Sequence, residues 1–164
     1  MTPTPVFFSL GSNLGQRKLN IRKATELLTQ QLGSKMRASS LYETKPWGKS
    51  DQPDFINQVV VWNNDTPVHE ILNACLEIER AMGRKRIEKW GARIIDLDIL
   101  YAGSLIIKTD TLTLPHPGIA TRRFVLEPLA EIAPDFIHPL LLKTNQQLLD
   151  ACPDSLPVKK LLQT

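Results

Sequence analysis

The sequence predicts an α+β domain whose strands and helices follow one another in the order β-α-β-β-α-β. Short apolar runs rich in valine, isoleucine and phenylalanine alternate with longer segments whose apolar residues recur at helical spacing. Glycine, asparagine and proline clusters separate these segments. The chain has 164 residues, 42% hydrophobic and 23% charged, as expected of a single domain spanning residues 1–164.

The first part of the chain predicts strand, helix, strand and loop. Val6–Leu10 is a compact apolar strand. Gln16–Leu32 is a helix, because its apolar residues fall on one face: Ile21, Ala24, Leu28 and Leu32. Met36–Glu43 is a second, more polar strand. Thr44–Asp54 has two prolines and no periodicity, so we expect a long loop, and long ordered loops usually carry function.

The middle of the chain repeats this pattern with strand, helix and strand. Phe55–Trp62 is a strong strand. Thr66 is an N-cap followed by Pro67 at the first helical position, and the helix runs to Met82. Its apolar face consists of Ile71, Cys75, Ile78 and Met82. Ile94–Tyr101 is the next strand.

The rest of the chain predicts smaller elements. Leu105–Ile107 is a short strand, and Arg122–Leu129 and Gln146–Ala151 are short helices. Residues 138–164 form a poorly specified tail. The core order packs most simply as an antiparallel sheet with both longer helices on one face, the ferredoxin-like arrangement.

Composition narrows the class of protein. The net charge of +3 and pI of 9.0 favour local binding of anions over a surface that coats nucleic acid. Cys75 and Cys152 form no CxxC pair, and the position of Cys75 predicts a buried thiol. No run reaches the roughly 18 apolar residues of a membrane span, and no signal peptide is evident. The leading expectation is therefore a cytoplasmic protein without a membrane or nucleic-acid partner, with action on nucleic acid kept as an alternative.

Two aspartates carry the strongest chemical signal. Asp96 and Asp98 stand two residues apart in an apolar run, so in a strand they share one face. Paired carboxylates repel unless a cation lies between them, and Mg²⁺ favours one or two carboxylates completed by phosphate oxygens. Aspartates that are solvated at a sheet edge or paired with arginine are the alternative.

A basic segment directly precedes these aspartates. Its members are Arg84, Arg86, Lys89 and Arg93, around Trp90-Gly91. A solvated loop is the usual origin of such a run. The aromatic residue beside glycine favours instead a loop that folds over phosphates, which arginine binds bidentately. Residues three apart in a strand point to opposite faces, so Arg93 would face away from Asp96 within a regular strand. Arg93 therefore faces the aspartates only if the strand begins after it.

Other candidates are weaker when each is taken alone. The turn Gly11-Ser12-Asn13 offers backbone N–H groups to an anion, but a plain turn explains it equally well. Glu79, just off the apolar stripe of its helix, is by itself a surface glutamate. His116 lies between two prolines, where a structural role is commoner than a catalytic one.

Taken together, these residues resemble the family of 6-hydroxymethyl-7,8-dihydropterin pyrophosphokinases of folate biosynthesis. The resemblance extends over about residues 6–137. It rests on the segments Ser9–Gly15, Tyr42–Thr44, Asp51–Asn57, Gly83–Arg86, Trp90–Leu100, Leu114–Pro117 and Arg122–Leu126. The WGxRxxDLD pattern within Trp90–Leu100 is the most specific of these.

The resemblance implies a ferredoxin-like fold and transfer of pyrophosphate from ATP to the hydroxymethyl group of the pterin, releasing AMP. It implies two Mg²⁺ ions on Asp96 and Asp98, with Arg84 and Arg93 assisting the transfer. The implied pterin-pocket residues are Thr44, Trp47, Phe55, Asn57 and Phe124. The implied ATP-binding residues are Glu79, Arg86, Lys89, Trp90, Ile99, Thr113, His116 and Arg122. The implied partners are these small molecules and other folate-pathway enzymes.

Three positions depart from the family pattern. Lys89 stands where an arginine is common, Phe55 where a tyrosine can occur, and Leu76 where a polar residue can contact adenine. Two other functions remain open from the residues themselves. The carboxylates and basic loop would also suit a nucleotidyltransferase or nuclease acting on nucleic acid. A ferredoxin-like RNA- or DNA-binding module is less consistent with an aromatic content of 6%.

Overall fold

The computed structural model describes residues 4–33, 36–46, 51–83 and 93–162. Its strands are β1 Thr4–Ser12, β2 Met36–Ala38, β3 Tyr42–Thr44, β4 Phe55–Asn64, β5 Asp96–Ala102, β6 Ile107–Lys108, β7 Thr113–Leu114 and β8 Val158–Lys160. Its α-helices are α1 Arg17–Leu32, α2 Val68–Ala81, α3 Arg123–Ile132 and α4 Asn145–Asp150, and a 3₁₀ turn covers Ile119–Thr121. The predicted core order of strands and helices is confirmed.

The centre of the fold is a six-stranded antiparallel sheet. Its strand order is β5-β1-β4-β3-β8, and β2 also pairs with β4. Within the register, Gly11 of β1 lies opposite Asn57 of β4 on one side and Asp96 of β5 on the other. Ser9 in turn lies opposite Asp98. The register therefore brings segments that are far apart in sequence into one row at one end of the sheet.

Helices α1 and α2 cover one face of the sheet, as predicted. The buried residues of α1 are Ile21, Ala24 and Leu28, and those of α2 include Ile71, Cys75 and Ile78. They pack with Phe8, Leu10, Val60 and Trp62 of the sheet. Burial of each large apolar side chain contributes about 1.5–3 kcal/mol, so this layer is the main source of stability. Cys75 is a buried free thiol, as predicted, and burial raises its pKa to about 12.

The opposite face has a second, smaller core. Phe7, Val59 and Tyr101 of the sheet pack there against α3, the 3₁₀ turn and α4, through residues that include Leu126, Leu129, Ile119 and Leu148. This layer ends at the N-terminal turn of α3. The end of the face that carries Gly11, Asn57 and Asp96 is left to form a cavity.

The predicted single strand Met36–Glu43 is wrong, because a bulge divides it into β2 and β3. Ser39 lies within the bulge, donates its N–H to Val59 O at 2.9 Å and accepts the Val59 N–H on Oγ at 3.0 Å. Ala38 pairs with Val60, and Tyr42 pairs with Asn57. The extra residue reverses which side chains face each layer. Tyr42 and Thr44 therefore face the same side of the sheet as Asn57.

The predicted start of the second helix is also wrong. Pro67 occupies the N-cap position, Val68 is the first helical residue, and no side chain caps the helix. Asn64 Oδ1 accepts the Thr66 N–H at 2.6 Å and holds Thr66 in the preceding turn. This local side-chain bond competes with the capping geometry that Thr66 would need.

The tail is better ordered than its sequence indicates. Its strand β8 extends the sheet by pairing with β3. Arg123 donates its backbone N–H to Asp154 Oδ2 at 3.1 Å and its Nε–H to Asp154 O at 2.9 Å, which joins the tail to α3. The remaining predicted bounds shift by a few residues, because β5 starts at Asp96, β6 pairs with β7, and α3 extends to Ile132. No helix among the described residues is long and apolar enough to cross a bilayer.

A single carboxylate joins α3 to the edge of the sheet. Glu131 accepts hydrogen bonds from Ser40 N–H at 2.9 Å, Ser40 Oγ at 2.7 Å and Tyr42 OH at 2.8 Å. Lys160 of β8 places its Nζ 3.4 Å from Glu131 Oε2. Burial raises the pKa of Glu131, but the hydrogen bonds and the lysine charge outweigh burial, and the net pKa lies below its ordinary value of 4.5.

We predict that Glu131→Gln lowers the free energy of unfolding at pH 7 by about 1–3 kcal/mol, because it removes a charged acceptor from these donors. A lowered folded-state pKa means that the contribution is present at neutral pH and lost as the pH falls below 4.5. Urea denaturation at pH 7 and below pH 4 measures this difference. Lys160→Met is the control. Because the Lys160 ammonium is mostly exposed, its removal should lower the free energy of unfolding by less than about 1 kcal/mol. An equal loss for Glu131→Gln at both pH values would contradict the assignment.

Candidate active site

A cavity of about 220 Å³ opens at the uncovered end of the sheet. Its wall combines the ends of four strands with the first turn of α3. The lining residues are Ser9, Gly11, Thr44, Lys45, Phe55, Asn57, Arg93, Asp96, Asp98, His116, Arg122 and Phe124. The structure thus brings together most of the predicted site residues that it describes, from both predicted substrate groups.

The cavity is lined by a hydrogen-bonded polar pair and by two aromatic rings. Asn57 is buried and donates from Nδ2 to Thr44 Oγ1 at 2.8 Å. This bond leaves Oδ1 as the acceptor beside the cavity. Phe55, at the start of β4, and Phe124, in α3, line the same cavity. A flat heterocycle that offers a donor to Asn57 and its faces to the rings would match this wall.

Gly11 makes room for this arrangement. A Cβ atom at this position would lie 2.9 Å from Asn57 Oδ1 and 3.6 Å from Phe55 Cδ1. Glycine within a strand often marks the close approach of a ligand or another chain segment. Gly11 is therefore required for the space next to Asn57.

The opposite wall carries the acidic pair. Asp96 and Asp98 face the cavity, while Ile95, Leu97 and Ile99 are buried toward α1 and α2. The predicted two-residue alternation is therefore confirmed. Arg93 lies before the start of β5, so the alternation of side chains along the strand does not turn it away from Asp96. Its Nη1 lies 3.0 Å from both carboxylate oxygens of Asp96.

A second cavity of about 330 Å³ runs along the outer edge of β5. Its lining includes Leu72, Leu76 and Glu79 of α2, Leu97, Asp98 and Ile99 of β5, and Thr109–Thr113, His116 and Pro117. The Leu97 N–H points away from the sheet and donates to Glu79 of α2. Ile99, two residues further along β5, directs its backbone N–H and C=O to the same side. The edge of β5 at Ile99 is therefore directed at this cavity. Asp98 and His116 line both cavities.

Glu79 is not a surface glutamate, so the prediction made from its position alone is wrong. It is 6% exposed, and its Oε2 accepts the Leu97 N–H at 2.9 Å. The helix turn that carries it faces the unpaired edge of β5, where a backbone donor needs a partner. Glu79 therefore secures this edge while lining the second cavity.

Where the two cavities meet, His116 is the neutral group and Arg122 the cationic one. The imidazole Nδ1 accepts the Gly118 N–H at 3.0 Å, so neutral His116 carries its proton on Nε2. Burial, and next the charge of Arg122, lower the pKa of His116 to about 4. The Arg122 side chain packs closely over Gly118. A Cβ atom at position 118 would lie 2.8 Å from Nε and Cζ of Arg122. At neutral pH His116 is therefore an uncharged hydrogen-bond donor.

Some predicted site residues lie outside the described residues, and their assignments stay predictions: Trp47, Arg84, Arg86, Lys89 and Trp90. Three residues that were not predicted to belong to the site also line the cavity: Ser9, Gly11 and Lys45. Strand alternation puts Ser9 and Gly11 on one face, as it does Asp96 and Asp98, but no local pattern predicts the register that places the two pairs opposite each other.

Two cavities that share Asp98 and His116 in their walls are typical of an enzyme that brings two substrates together. Residues 7–134 match the family described as 7,8-dihydro-6-hydroxymethylpterin-pyrophosphokinase, or HPPK. The chain belongs to this family. The predicted family is confirmed, as are its reaction class, pyrophosphoryl transfer from ATP to hydroxymethyldihydropterin, and its pathway, folate biosynthesis.

Individual relatives agree with this assignment. A 2-amino-4-hydroxy-6-hydroxymethyldihydropteridine pyrophosphokinase from Methylorubrum extorquens is 41% identical over 135 residues, which cover 82% of this chain and 85% of that protein. The folic acid synthesis protein FOL1 of Dictyostelium discoideum is 40% identical over 146 residues, 88% of this chain but only 22% of the relative.

The fold is also shared with a solved structure. Wild-type HPPK-DHPS of Plasmodium falciparum, crystallised with pteroate, superposes with a TM-score of 0.71 at 16% identity. The match covers 92% of this chain and 45% of that one. At this identity the likeness concerns the fold, and it confirms the predicted α+β class.

We predict that the His116 imidazole titrates near pH 4 and carries its neutral-state proton on Nε2. Long-range ¹H–¹⁵N NMR correlation measures both properties. Arg122→Gln should raise the pKa of His116 by removing the smaller cause of the shift, but should leave it below the ordinary value of 6.5, because burial remains. A pKa near 6.5 in the unaltered protein, or protonation at Nδ1, would contradict this environment.

Proposed function

We propose that this chain transfers the pyrophosphoryl group of ATP to 6-hydroxymethyl-7,8-dihydropterin at the junction of its two cavities. The observation that carries the proposal is that Asp98 and His116 line both cavities. A donor bound in one cavity and an acceptor bound in the other would meet there. The cavities differ in chemistry, so each suits a different substrate.

The pterin belongs in the smaller cavity. Asn57 Oδ1 would accept from the ring's polar edge, and the bond to Thr44 holds the amide in that orientation. Phe55 and Phe124 would contact the ring faces. Phe55 does so without the hydroxyl of the tyrosine that can occur at its position.

ATP belongs in the cavity along β5. Its adenine would pair with the strand edge at Ile99 and lie near Thr113, with the apolar Leu72 and Leu76 beside it. The triphosphate would extend to Asp98, His116 and Arg122. His116 would donate from Nε2 without adding a charge, and Arg122 would supply a positive charge to the phosphates.

The donor set at Asp96 and Asp98 fits Mg²⁺. Among the described residues, no group of three or more histidine, cysteine, aspartate or glutamate side chains forms a closed metal site. A pair of cavity-facing carboxylates suits a hard ion that completes its coordination with substrate phosphates. Bound there, Mg²⁺ would neutralise the triphosphate and orient it for displacement. Two such ions, held by these aspartates, are part of the proposal.

The reaction is an in-line displacement at the β-phosphorus. The pterin hydroxyl oxygen forms the new bond to phosphorus and its proton is released to solvent, while the bond to the α–β bridging oxygen breaks and AMP leaves with the electron pair. Arg93 lies beside Asp96 and would balance negative charge that develops on the transferring group. Arg84, Arg86, Lys89, Trp90 and Trp47 are proposed to complete the phosphate and pterin contacts.

The proposal extends to the surroundings of the enzyme. A cytoplasmic location is consistent with ATP as co-substrate and with the free thiols of Cys75 and Cys152. Longer relatives named HPPK-DHPS and folic acid synthesis protein support other folate-pathway enzymes as partners.

The primary experiment incubates the purified chain with ATP, Mg²⁺ and the pterin and identifies the nucleotide product. We predict pterin-dependent AMP. Asp96→Asn and Asp98→Asn should each lower the single-turnover rate by at least about 10²-fold, because each removes a carboxylate that would hold the Mg²⁺ ions on the triphosphate. Mn²⁺ binding, followed by EPR, should weaken in the same variants.

Asp135→Asn is the matched control, since Asp135 is exposed and lines neither cavity. It should leave both the rate and Mn²⁺ binding unchanged. ADP as the product would indicate transfer of a single phosphoryl group and would contradict the proposal. Near-normal rates in both aspartate variants would remove the acidic pair from the reaction.

We further predict that Gly11→Ala weakens pterin binding about 10- to 100-fold, because the added Cβ crowds Asn57 Oδ1 and overpacking costs about 1–3 kcal/mol. ATP affinity should change less than about threefold, since Gly11 does not line the second cavity. Isothermal titration calorimetry with each substrate separates the two effects. An equal loss for both substrates would show that Gly11 acts on folding and not on the pterin space.

A further inference from the structure

A buried asparagine outside both substrate groups connects three segments at the active site. Asn13 follows β1 directly and is 1% exposed. Its Nδ2 donates to Gln52 Oε1 at 2.9 Å and to Pro53 O at 3.0 Å, in the segment that leads into β4. Its Oδ1 accepts the Arg93 N–H at 2.7 Å. The whole hydrogen-bonding capacity of the amide donor group is used.

Asn13 also holds Arg93 through the main chain. The Asn13 N–H donates to Arg93 O at 3.1 Å, so both the N–H and the C=O of Arg93 are bonded to this one residue. The main chain of Arg93 is therefore held beside the end of β1. From that point the side chain reaches Asp96, with Nη1 3.0 Å from each carboxylate oxygen.

The other half of the asparagine amide acts on the pterin side. Gln52 and Pro53 immediately precede Asp54 and Phe55, and Phe55 lines the smaller cavity. Arg17 secures the same segment by donating from Nη1 to Asp54 O at 2.8 Å. Asn13 thus connects the backbone that leads to Phe55 with the backbone that carries Arg93.

We propose that Asn13 is a positioning residue for the pyrophosphoryl transfer: its Oδ1 and N–H set the place of Arg93, and its Nδ2 sets the approach of the chain to Phe55. This inference rests on the proposed roles of Arg93 and Phe55. Placement matters because a displacement of about 1 Å at a reacting group can cost about 10²-fold in rate. Asn13 itself touches neither cavity.

Two substitutions separate the two halves of this role. Asn13→Asp keeps an oxygen acceptor for the Arg93 N–H but replaces the donor to Pro53 O by a second oxygen, which that carbonyl repels. Asn13→Ala removes both halves. We expect the pterin KM to rise in both variants, and kcat to fall about 10²-fold in Asn13→Ala but less than about fivefold in Asn13→Asp.

Asn20→Ala is the matched control. Asn20 Nδ2 donates to Leu14 O at 2.9 Å and Ser12 Oγ at 3.2 Å, so it stabilises the same turn without contacting Arg93 or Gln52. It should lower the thermal midpoint while leaving kcat and the pterin KM unchanged. If Asn20→Ala lowers kcat as much as Asn13→Ala, Asn13 has only a structural role and the proposal is overturned.

Amide hydrogen exchange at Arg93 tests the geometry independently of turnover. Asn13→Ala should lose protection at the Arg93 N–H, and Asn13→Asp should retain it. Equal protection in all variants, or equal kcat in Asn13→Asp and Asn13→Ala, would overturn the role toward Arg93. An unchanged pterin KM in both would overturn the role toward Phe55.

Two further results are interpretable. If the unaltered protein makes no AMP but the exchange pattern holds, the proposed function fails while the placement of Arg93 by Asn13 stands. If Asn13→Ala does not fold, Asn13→Ser replaces it, because the shorter hydroxyl cannot span from Arg93 to Pro53, and the same expectations apply.

Discussion

The active site depends on the register of β1 between β4 and β5. Gly11 lies opposite both Asn57 and Asp96, and Ser9 lies opposite Asp98. A shift of one residue would turn every side chain of a strand to the other face. The aspartates would then enter the apolar layer beneath α1 and α2, where unpaired charges are costly. The same apolar alternation that stabilises the sheet therefore fixes which side chains can meet the substrates.

The two faces of the sheet differ in how they are covered and in what they contribute. One face is covered by α1 and α2 and carries the larger cluster of buried apolar residues. The other is covered by α3 and α4 only in part, and its uncovered end is polar. Polar groups buried at that end have hydrogen-bond partners, as Asn57 has in Thr44 and Asn13 has in three neighbours. Their burial is tolerable because these bonds replace lost hydration, and the bonds also hold the site in one geometry.

Charge at the site is arranged for an anionic substrate. Arg93 pairs with Asp96, and Arg122 stands beside a histidine whose pKa burial and that arginine hold near 4. A triphosphate would be repelled by the acidic pair unless a cation lay between them, which is the role proposed for Mg²⁺. A neutral imidazole adds a directed hydrogen bond without changing this balance.

The sequence by itself determined the order of the core elements and the faces of α1 and α2, and it placed Asp96 and Asp98 on one face of β5. These are local properties, because helical and strand periodicity and the WGxRxxDLD pattern are contained in short segments. Glu79 and Asn13 could not be interpreted locally, since their partners Leu97, Gln52 and Arg93 are remote in the chain.

The tertiary structure alone decided three features. The bulge at Ser39 turned Tyr42 and Thr44 to the face of Asn57, the tail added β8 to the sheet, and the register placed Gly11 beside Asn57. Each depends on pairing between distant strands, for which sequence periodicity indicates a face but neither a partner nor an offset. The reaction class was therefore legible from short motifs, whereas the spatial arrangement of the proposed site residues was determined by strand pairing.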